Sequence, residues 1–323
     1  MTPRTLGVGV VGATSMVAVD AVLPALVASD RTRVVAVASR DATAAAAAAA
    51  RFGVPHHAGN YQQVLDDPDV DAVYIPLPNG LHRHWTERAA AAGKHVLCEK
   101  PLAPTATDAM AMADACSNAG VVLMEAYMTP FHPRAEAAAA LVHAGGLGDI
   151  RFARAVFSFP LDDPANHRWL PAQGGGALLD VGIYCLTPLV DIGGHPNQVI
   201  TRAWPSDSGV DSTFTGWLDH PGGFSSTFVC SFEGAERQHL EVVGTRATLT
   251  VELPFAGGAS GNRGLVHHRD GSVEEVAGDD ADPYLAMVDH FADVARGRAR
   301  SHRPPSASIQ LLELFDRLRA AAA

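Results

Sequence analysis

The chain has 323 residues, of which 47% are hydrophobic and 18% charged, and its formal net charge is −11 at pH 7. A chain of this length has room for two domains with buried cores. The negative charge argues against nucleic acid or an anionic membrane surface as a partner, because both require a basic footprint.

The cysteines and the amino terminus favour a cytoplasmic location. Cys98, Cys116, Cys185 and Cys230 are widely separated and form no C-x-x-C pair, which fits reduced thiols better than disulfides or a metal cluster. Met1–Arg4 leads into a predicted strand without a charged and then apolar leader, and no apolar run is long enough to span a bilayer. We therefore expect a cytoplasmic protein without a metal site.

The first part of the chain alternates between short apolar runs and helical patterns. Strands are predicted at 6–11, 33–38, 72–75, 95–98 and 121–125, and helices at 16–27, 41–50, 82–92 and 107–119. Repeated strand and helix units of this length predict a doubly wound parallel sheet.

The pattern changes from about residue 151. β-rich runs follow at 151–159, 199–204, 212–218, 224–232 and 239–251, which predict a large open, mostly antiparallel sheet. A glycine run at 174–176 and a predicted helix at 178–190 lie between the first two strands, and helices are predicted at 284–296 and 306–322. We expect an α/β domain at 1–126 and an α+β domain at 127–323, with the last helix packing back on the first domain.

A glycine-rich turn follows the first predicted strand. The literal dinucleotide fingerprint at 7–12 lies inside that strand, so the turn at 12–17 occupies the position where a pyrophosphate meets the following helix. Thr14 replaces the second glycine of the motif and Val17 its small third residue, which leaves a plain strand-to-helix turn as an alternative. The expected cofactor contacts of this turn are Gly12, Ala13, Thr14, Ser15 and Met16.

The second predicted strand ends at Ser39 and Arg40, where an NAD-binding domain would carry an acid for the ribose hydroxyls. A hydroxyl and a guanidinium suit a 2′-phosphate, because the planar guanidinium pairs with phosphate and stacks on adenine. The sequence therefore favours NADP over NAD. Asp41 comes later and is expected to cap the alanine-rich helix.

Lys100 follows the strand predicted at 95–98, at the sheet edge where ligands bind in open parallel sheets. A surface lysine at a strand end is the alternative for this residue alone. Further motifs follow other strands. They are Tyr-Ile-Pro-Leu-Pro-Asn at 74–79 with His82, Glu-Lys-Pro at 99–101, Met-Glu-Ala-Tyr at 124–127 with Phe-His-Pro at 131–133, and Gly-Gly-Gly-Ala-Leu-Leu-Asp-Val-Gly-Ile-Tyr at 174–184.

With these motifs the chain resembles the Gfo/Idh/MocA oxidoreductase family over nearly its whole length. It is most similar to the branch of dimeric dihydrodiol dehydrogenases and NADP-dependent D-xylose dehydrogenases. The resemblance implies a Rossmann domain followed by a substrate-binding and dimerisation domain. It also implies hydride transfer between a nicotinamide and a secondary alcohol of a sugar, polyol or vicinal diol, in a homodimer or homotetramer formed through the second sheet.

The resemblance assigns catalysis to Lys100, Asp180 and Tyr184. Asp180 and Tyr184 are four residues apart on a predicted helix, so we expect them on one face. We assign proton transfer to Tyr184 assisted by Lys100, with Asp180 orienting Lys100 and a sugar hydroxyl; the division between Lys100 and Tyr184 stays open. The remaining expected cofactor contacts are Pro76, Leu77, Asn79, His82 and Glu99, with Lys100.

Substrate contacts are expected at Tyr127, Arg168 and Trp169, besides the three catalytic residues. Arg154, Asn166 and His167 are expected to join Arg168 and Trp169 in a sugar-binding cluster, with a loop at a subunit edge as the alternative. For His82, a surface position at a helix start is the alternative.

Two other functions stay open. Some family members use tightly held NAD to oxidise a sugar transiently and eliminate a substituent, and Arg40 without a neighbouring acid counts against that. A cofactor-binding regulator without activity is favoured by Thr14 and opposed by the complete catalytic set.

Overall fold

The computed structural model describes residues 5–255, 263–278 and 281–322. The chain forms two compact units, Met1–Tyr127 with Tyr284–Gln310, and Met128–Pro283 with Leu311–Ala323. Residues 1–4, on which the expectation about a leader rests, lie outside the described residues. In the described part of the chain, no single helix is long and apolar enough to cross a membrane.

A six-stranded parallel sheet forms the centre of the first unit. Its strands are β1 (Leu6–Val11), β2 (Thr32–Ala38), β3 (His56–Ala58), β4 (Ala72–Ile75), β5 (His95–Glu99) and β6 (Leu123–Ala126), in the order β3-β2-β1-β4-β5-β6. The predicted doubly wound sheet is confirmed. The strand order reverses between β1 and β4, and in such sheets ligands bind beyond the carboxyl ends at that point.

Five helices follow strands of this sheet: α1 (Leu23–Ala28), α2 (Ala42–Phe52), α3 (Tyr61–Asp66), α4 (His82–Ala91) and α5 (Ala106–Asn118). The Asp41 carboxylate accepts hydrogen bonds from the amides of Thr43 and Ala44, and so caps α2 as expected. The sequence analysis missed β3 and α3, because elements of three and six residues are too short to show a periodic pattern.

The segment before α1 corrects the expectation of one regular helix over 16–27. Residues Ala18–Val22 form a π-helical turn, in which the Leu23 amide donates to the Ala18 carbonyl. Pro24 follows and has no amide to continue a regular ladder. The wider turn places Ala18 at the fully buried position and leaves Val17 half-buried, so the small residue that close packing requires stands one position later than expected.

An eight-stranded sheet forms the second unit. Its strands are β7 (Ile150–Ser158), β8 (Gln198–Pro205), β9 (Asp211–Asp219), β10 (Ser225–Ser231), β11 (Arg237–Gly244), β12 (Ala247–Glu252), β13 (Arg263–His268) and β14 (Val273–Glu275), in the order β14-β13-β12-β11-β7-β10-β9-β8. Among the described strands of this sheet, only β7 and β10 pair in parallel, so the expected mostly antiparallel sheet is confirmed.

The strand expected over 239–251 is two strands, which corrects the sequence analysis. β11 and β12 are antiparallel neighbours joined by Thr245 and Arg246. At the end of β11, a Cβ on Gly244 would lie 2.1 Å from the Leu147 carbonyl oxygen, so only glycine fits where the chain turns. Gly244 is a turn signal inside this β-rich run, and the prediction of one strand overlooked it.

Three helices belong to the second unit: α6 (Pro133–His143), α7 (Ala177–Asp180) and α8 (Gly182–Gly193). The helix expected over 178–190 is broken at Val181, whose φ of −115° is outside the helical range, and its two parts are bent by 50°. With the turn at 171–173, this bent pair has the length and apolar composition of a membrane span, but α8 buries its apolar residues against β7 and β10.

The last two helices are α9 (Pro283–Ala295) and α10 (Pro305–Ala322). Residues 284–310 belong to the first unit, and the remainder of α10 to the second. In the first unit, the Ser29 hydroxyl donates to Asp289 of α9.

The glycine run before α7 is required by packing within the second unit. A Cβ on Gly175 would lie 2.3 Å from the Arg168 carbonyl oxygen, and one on Gly176 would lie 2.3 Å from Oδ1 of Asp211. Gly176 has a φ of +113°, which side chains rarely adopt. The other oxygen of Asp211 accepts from the Leu178 amide at 2.6 Å, and burial raises the pKa of Asp211 to about 6. Gly176 and Asp211 thus fix the start of α7.

Gly176→Ala should lower the free energy of unfolding by about 2 to 4 kcal/mol, because backbone strain and the collision with Asp211 add. Gly53→Ala is the matched control, since Gly53 has a φ of +66° and a Cβ there would meet no atom within 4 Å; it should lose about 1 kcal/mol from backbone strain alone. Urea unfolding followed by circular dichroism measures both. Equal losses would show that Asp211 does not restrict position 176.

Candidate active site

The turn after β1 combines a strained glycine with two engaged amides. Gly12 has a φ of +109°, and a Cβ there would lie 2.7 Å from Cδ2 of Leu77. The amides of Gly12 and Ala13 both donate to the Ala38 carbonyl, at 3.0 and 2.9 Å. The Ser15 amide donates to the Gly12 carbonyl at 3.2 Å, so we expect the pyrophosphate contacts of this turn from the Thr14 and Met16 amides.

Two hydroxyls lie between this turn and the end of β2. Thr14 Oγ1 and Ser39 Oγ are 3.4 Å apart, and Ser39 Oγ also accepts from the Asp41 amide. The Ser15 hydroxyl accepts from the amide of Ala18, the first residue of the π-helical turn. The Thr14 side chain therefore extends towards Ser39, which lies beside the expected 2′-phosphate position.

Arg40 is exposed and lies close enough to Tyr61 to influence its hydroxyl. Burial raises the pKa of Tyr61, and the Arg40 guanidinium acts in the opposite direction. The nearest acid along the chain is Asp41, and its carboxylate accepts hydrogen bonds from the first amides of α2. A guanidinium beside two hydroxyls fits a nucleotide with a 2′-phosphate.

The loop after β4 carries Pro76, Leu77 and Asn79. Pro76 and Leu77 are buried, and Asn79 begins a single 3₁₀ turn that leads into α4. His82 has no exposed surface, so it is not the surface residue that was the alternative. Burial lowers the pKa of His82, and its contacts with backbone carbonyls act in the opposite direction.

β5 ends at Glu99, and the turn after it carries Lys100 and a cis peptide bond before Pro101. The Tyr74 hydroxyl donates to Oε1 of Glu99 at 2.7 Å, and the Lys100 amide donates to Oε2 at 3.2 Å. Burial raises the pKa of Glu99 to about 7, although Tyr74 and the positive charge of Lys100 both favour its carboxylate form. Glu99 therefore titrates near neutral pH.

A buried carboxylate holds the far side of this turn. Oε1 of Glu125 accepts from the Leu102 amide at 2.8 Å, and Oε2 accepts from Arg303 Nε at 3.0 Å and Ser308 Oγ at 2.6 Å. The Arg303 guanidinium also lies over the ring of Tyr127, 5.5 Å from its centroid. Tyr127, an expected substrate contact, is a buried ring beneath Arg303.

In the second unit, Asp180 is paired with Arg168. The distance from Arg168 Nε to Asp180 Oδ2 is 2.7 Å. Asp180 is the last residue of α7 and Tyr184 lies in the first turn of α8, so the bend at Val181 separates them and the expected shared helix face is wrong. The carboxylate that we expected to orient Lys100 is itself oriented by Arg168.

An aromatic row extends from Tyr184 past the end of β7. Phe157 lies 5.4 Å from Tyr184 and 5.6 Å from Phe255, measured between ring centroids. Beyond them, Phe159 and Trp169 both contact Phe232, at 5.4 and 5.3 Å. The sequence analysis named only the two ends of this row. The alternation of Phe157 and Phe159 along a strand would have placed both on the face that carries Tyr184.

The expected polar cluster is only partly formed. Arg154 is on the opposite face of β7 from the buried Ala153 and Ala155, and it pairs with Glu241 at 3.1 Å, so it does not join Arg168. Asn166 accepts from the Arg168 amide and begins the 3₁₀ turn His167–Trp169. Strand alternation places Arg154 on the outer face, which the sequence analysis overlooked.

No group of three or more His, Cys, Asp or Glu side chains arranged to hold a metal ion occurs among the described residues. The doubly wound sheet with its glycine turn, the turn that carries Lys100 and the Arg168–Asp180 pair together fit the class of dinucleotide-dependent oxidoreductases. The first unit matches the NAD-binding Rossmann fold of the GFO/IDH/MocA oxidoreductase family over residues 6–127, and residues 135–250 match the C-terminal domain of that family.

Known proteins agree with this classification. D-xylose 1-dehydrogenase (NADP(+)) 2 of Haloferax volcanii is 40% identical over 88% of this chain and 87% of its own length. Mouse trans-1,2-dihydrobenzene-1,2-diol dehydrogenase is 36% identical over 73% of this chain and 71% of its own. A 3-ketoreductase from Actinomadura kijaniata, solved with NADP and TDP-benzene, superimposes with a TM-score of 0.90 at 29% identity and covers 98% of both chains. The chain belongs to the Gfo/Idh/MocA oxidoreductase family, and the resemblance seen in its sequence is confirmed.

Because the pKa of Glu99 is raised from 4.5 to about 7, folding favours its protonated form. The stabilisation is present below about pH 4.5 and is lost as pH rises through 7, which amounts to about 3 kcal/mol. We expect the unfolding free energy of the wild type to fall relative to that of Glu99→Gln between about pH 5 and pH 8. Urea unfolding at both pH values measures this. Glu236→Gln, at an exposed position, is the control, and a Glu99→Gln profile parallel to the wild type would contradict the expectation.

Proposed function

We propose that this protein is an NADP-preferring dehydrogenase or reductase that transfers a hydride between the nicotinamide and a secondary alcohol of a sugar, polyol or vicinal diol. The observation that carries this proposal is the Arg168–Asp180 pair in the unit that also holds Tyr184 and the aromatic row, in which Trp169 directly follows Arg168. Polar groups that bind hydroxyls, next to rings that pack against a sugar face, suit a substrate of this class.

The cofactor preference is supported by the end of β2. Ser39, Arg40 and Thr14 offer hydroxyls and a guanidinium where a 2′-phosphate would be bound, and Thr14 to Met16 offer the start of a helical turn for the pyrophosphate. The relatives agree, since NADP is in the name of the Haloferax enzyme and in the structure of the Actinomadura reductase. The bound nicotinamide supplies a hydride acceptor or donor.

Oxidation of a secondary alcohol requires removal of the hydroxyl proton while the carbon loses its hydride. We propose that the Tyr184 phenolate accepts this proton and becomes the phenol, with Lys100 sharing the proton or stabilising the phenolate. Arg168 Nε donates to Oδ2 of Asp180 and so orients this carboxylate, to which we assign a hydrogen bond from a sugar hydroxyl. In the reverse direction, Tyr184 returns the proton to the carbonyl oxygen.

We also propose that the protein is a homodimer or homotetramer formed through the outer face of the second sheet. Ile200 and Trp204 of β8 point to that face, with 67% and 40% of their surfaces exposed, and Arg202 lies over the Trp204 ring. Large exposed apolar side chains on a sheet face are typical of protein interfaces.

Arg40→Ala tests the cofactor preference. Removal of the guanidinium should raise the Kd for NADPH about 10- to 100-fold and change the Kd for NADH by less than about twofold, because only NADPH carries the 2′-phosphate. Fluorescence titration measures both constants. Arg51→Ala, in the last turn of α2, is the control and should leave both unchanged. An equal loss for the two nucleotides would contradict a 2′-phosphate contact.

Tyr184→Phe and Lys100→Ala test the catalytic assignment. With NADP and a panel of aldoses, polyols and trans-diols, each should lower kcat by about 10²- to 10⁴-fold, while Tyr184→Phe leaves NADPH affinity intact. Lys94→Ala is the control for lysine removal, because Lys94 precedes β5 and bonds to the carbonyls of Asp67 and Val70. Full turnover by Tyr184→Phe would remove the tyrosine from the mechanism, and wild-type turnover of no substrate in the panel would overturn the substrate class.

A further inference from the structure

The His82 ring lies between two loops of the first unit. Its Nε2 is 2.7 Å from the carbonyl oxygen of Leu77, which follows β4. Its Nδ1 is 3.1 and 3.2 Å from the carbonyl oxygens of Pro101 and Leu102, which follow β5. The ring has no exposed surface, so water does not replace any of these partners.

The chemistry of these partners determines what the ring must do. A backbone carbonyl only accepts hydrogen bonds, so each ring nitrogen must donate in order to bond to its loop. An imidazole that carries a proton on both nitrogens satisfies both loops. Burial, the largest influence, lowers the pKa of His82 and opposes that form, so the carbonyl contacts and the nearby Glu125 carboxylate must offset burial for both protons to stay on the ring at neutral pH. A ring nitrogen without a proton would instead direct its lone pair at a carbonyl oxygen.

Each of the two loops has a second contact, which connects it to the expected cofactor or catalytic residues. On one side, the Leu77 side chain packs against Gly12, at the turn expected to bind the cofactor. On the other side, Leu102 stands two residues after Lys100, and its amide donates to the Glu125 carboxylate. His82 is therefore placed to connect the glycine turn with the turn that carries Lys100.

We propose that His82 is a positioning residue, whose two ring nitrogens hold the Leu77 loop and the Lys100 turn at a fixed separation. One nitrogen acts on cofactor binding, through Leu77 and Gly12, and the other on turnover, through Pro101 and Leu102. The assignment of these effects to cofactor affinity and turnover rests on the proposed function. The mechanical connection between the loops does not.

Two substitutions test the roles of the two ring nitrogens separately. An asparagine amide can take the place of Nδ1, and a glutamine amide that of Nε2, so His82→Asn keeps the bond to the Lys100 turn and His82→Gln keeps the bond to Leu77. His82→Asn should raise the Kd for NADPH about tenfold and change kcat by less than about twofold, the effect of one lost hydrogen bond. His82→Gln should show the reverse, with kcat lowered about tenfold and the Kd nearly unchanged.

Hydrogen exchange in the cofactor-free protein, read by mass spectrometry, tests the connection without any activity. His82→Asn should speed exchange in residues 77–81 and His82→Gln in residues 99–103. The matched controls are His84→Asn and His84→Gln, because His84 is exposed on the same helix, and these should change neither segment. Unchanged exchange at 99–103 in His82→Gln would overturn the proposal. The expected exchange pattern without any turnover by the wild type would instead contradict only the proposed function.

The wild type provides an independent measurement if both variants fail to fold. In protein labelled with ¹⁵N-histidine, the proposal requires two slowly exchanging ring protons on His82, identified by their proximity to Leu77 and Leu102. A ring that carries one such proton would hold a single loop and would overturn the proposal.

Discussion

The buried carboxylate of Glu125 is the interaction on which the Lys100 side of the first unit depends. A carboxylate without water is costly unless donors surround it. Here the donors come from distant parts of the chain, namely the Leu102 amide, the Arg303 guanidinium and the Ser308 hydroxyl. The same group therefore shapes the turn after β5 and fixes residues 303–308 to the first unit. Loss of any one donor would leave charge uncompensated at the turn beside Lys100.

Most of the fold could be predicted from the sequence, because hydrophobic periodicity reports which side of an element is buried. β1 and β4 were predicted with the bounds that the structure shows, and the parallel and antiparallel sheets followed from the order of elements. The errors are at interruptions of a pattern. The π-helical turn at Ala18–Val22, the break at Val181 and the turn between β11 and β12 each lie beside one proline or glycine, namely Pro24, Gly182 and Gly244, inside an otherwise regular run. Packing of distant residues decides such interruptions, and a local pattern does not contain it.

The site was harder to predict than the fold, because sequence spacing does not give the direction of a side chain. The motifs located the segments that carry Lys100 and Asp180. They did not indicate that Arg168 pairs with Asp180. His82 was interpreted as a cofactor contact or a surface residue, and its ring is buried among backbone carbonyls. Arg154 was grouped with Arg168 because both are polar residues of the second domain, although strand alternation places Arg154 on the outer face. In each case a partner far along the chain determines the orientation.

The start of α7 links two positions that are far apart in the sequence. The Asp211 carboxylate occupies the space beside Gly176 and bonds to the Leu178 amide, so the glycine and the acid restrict one another. A side chain at 176 requires a smaller residue at 211, and that change removes the acceptor for the helix start. A substitution at one of the two positions can therefore be accommodated only by a residue at the other that leaves both the space and the acceptor in place.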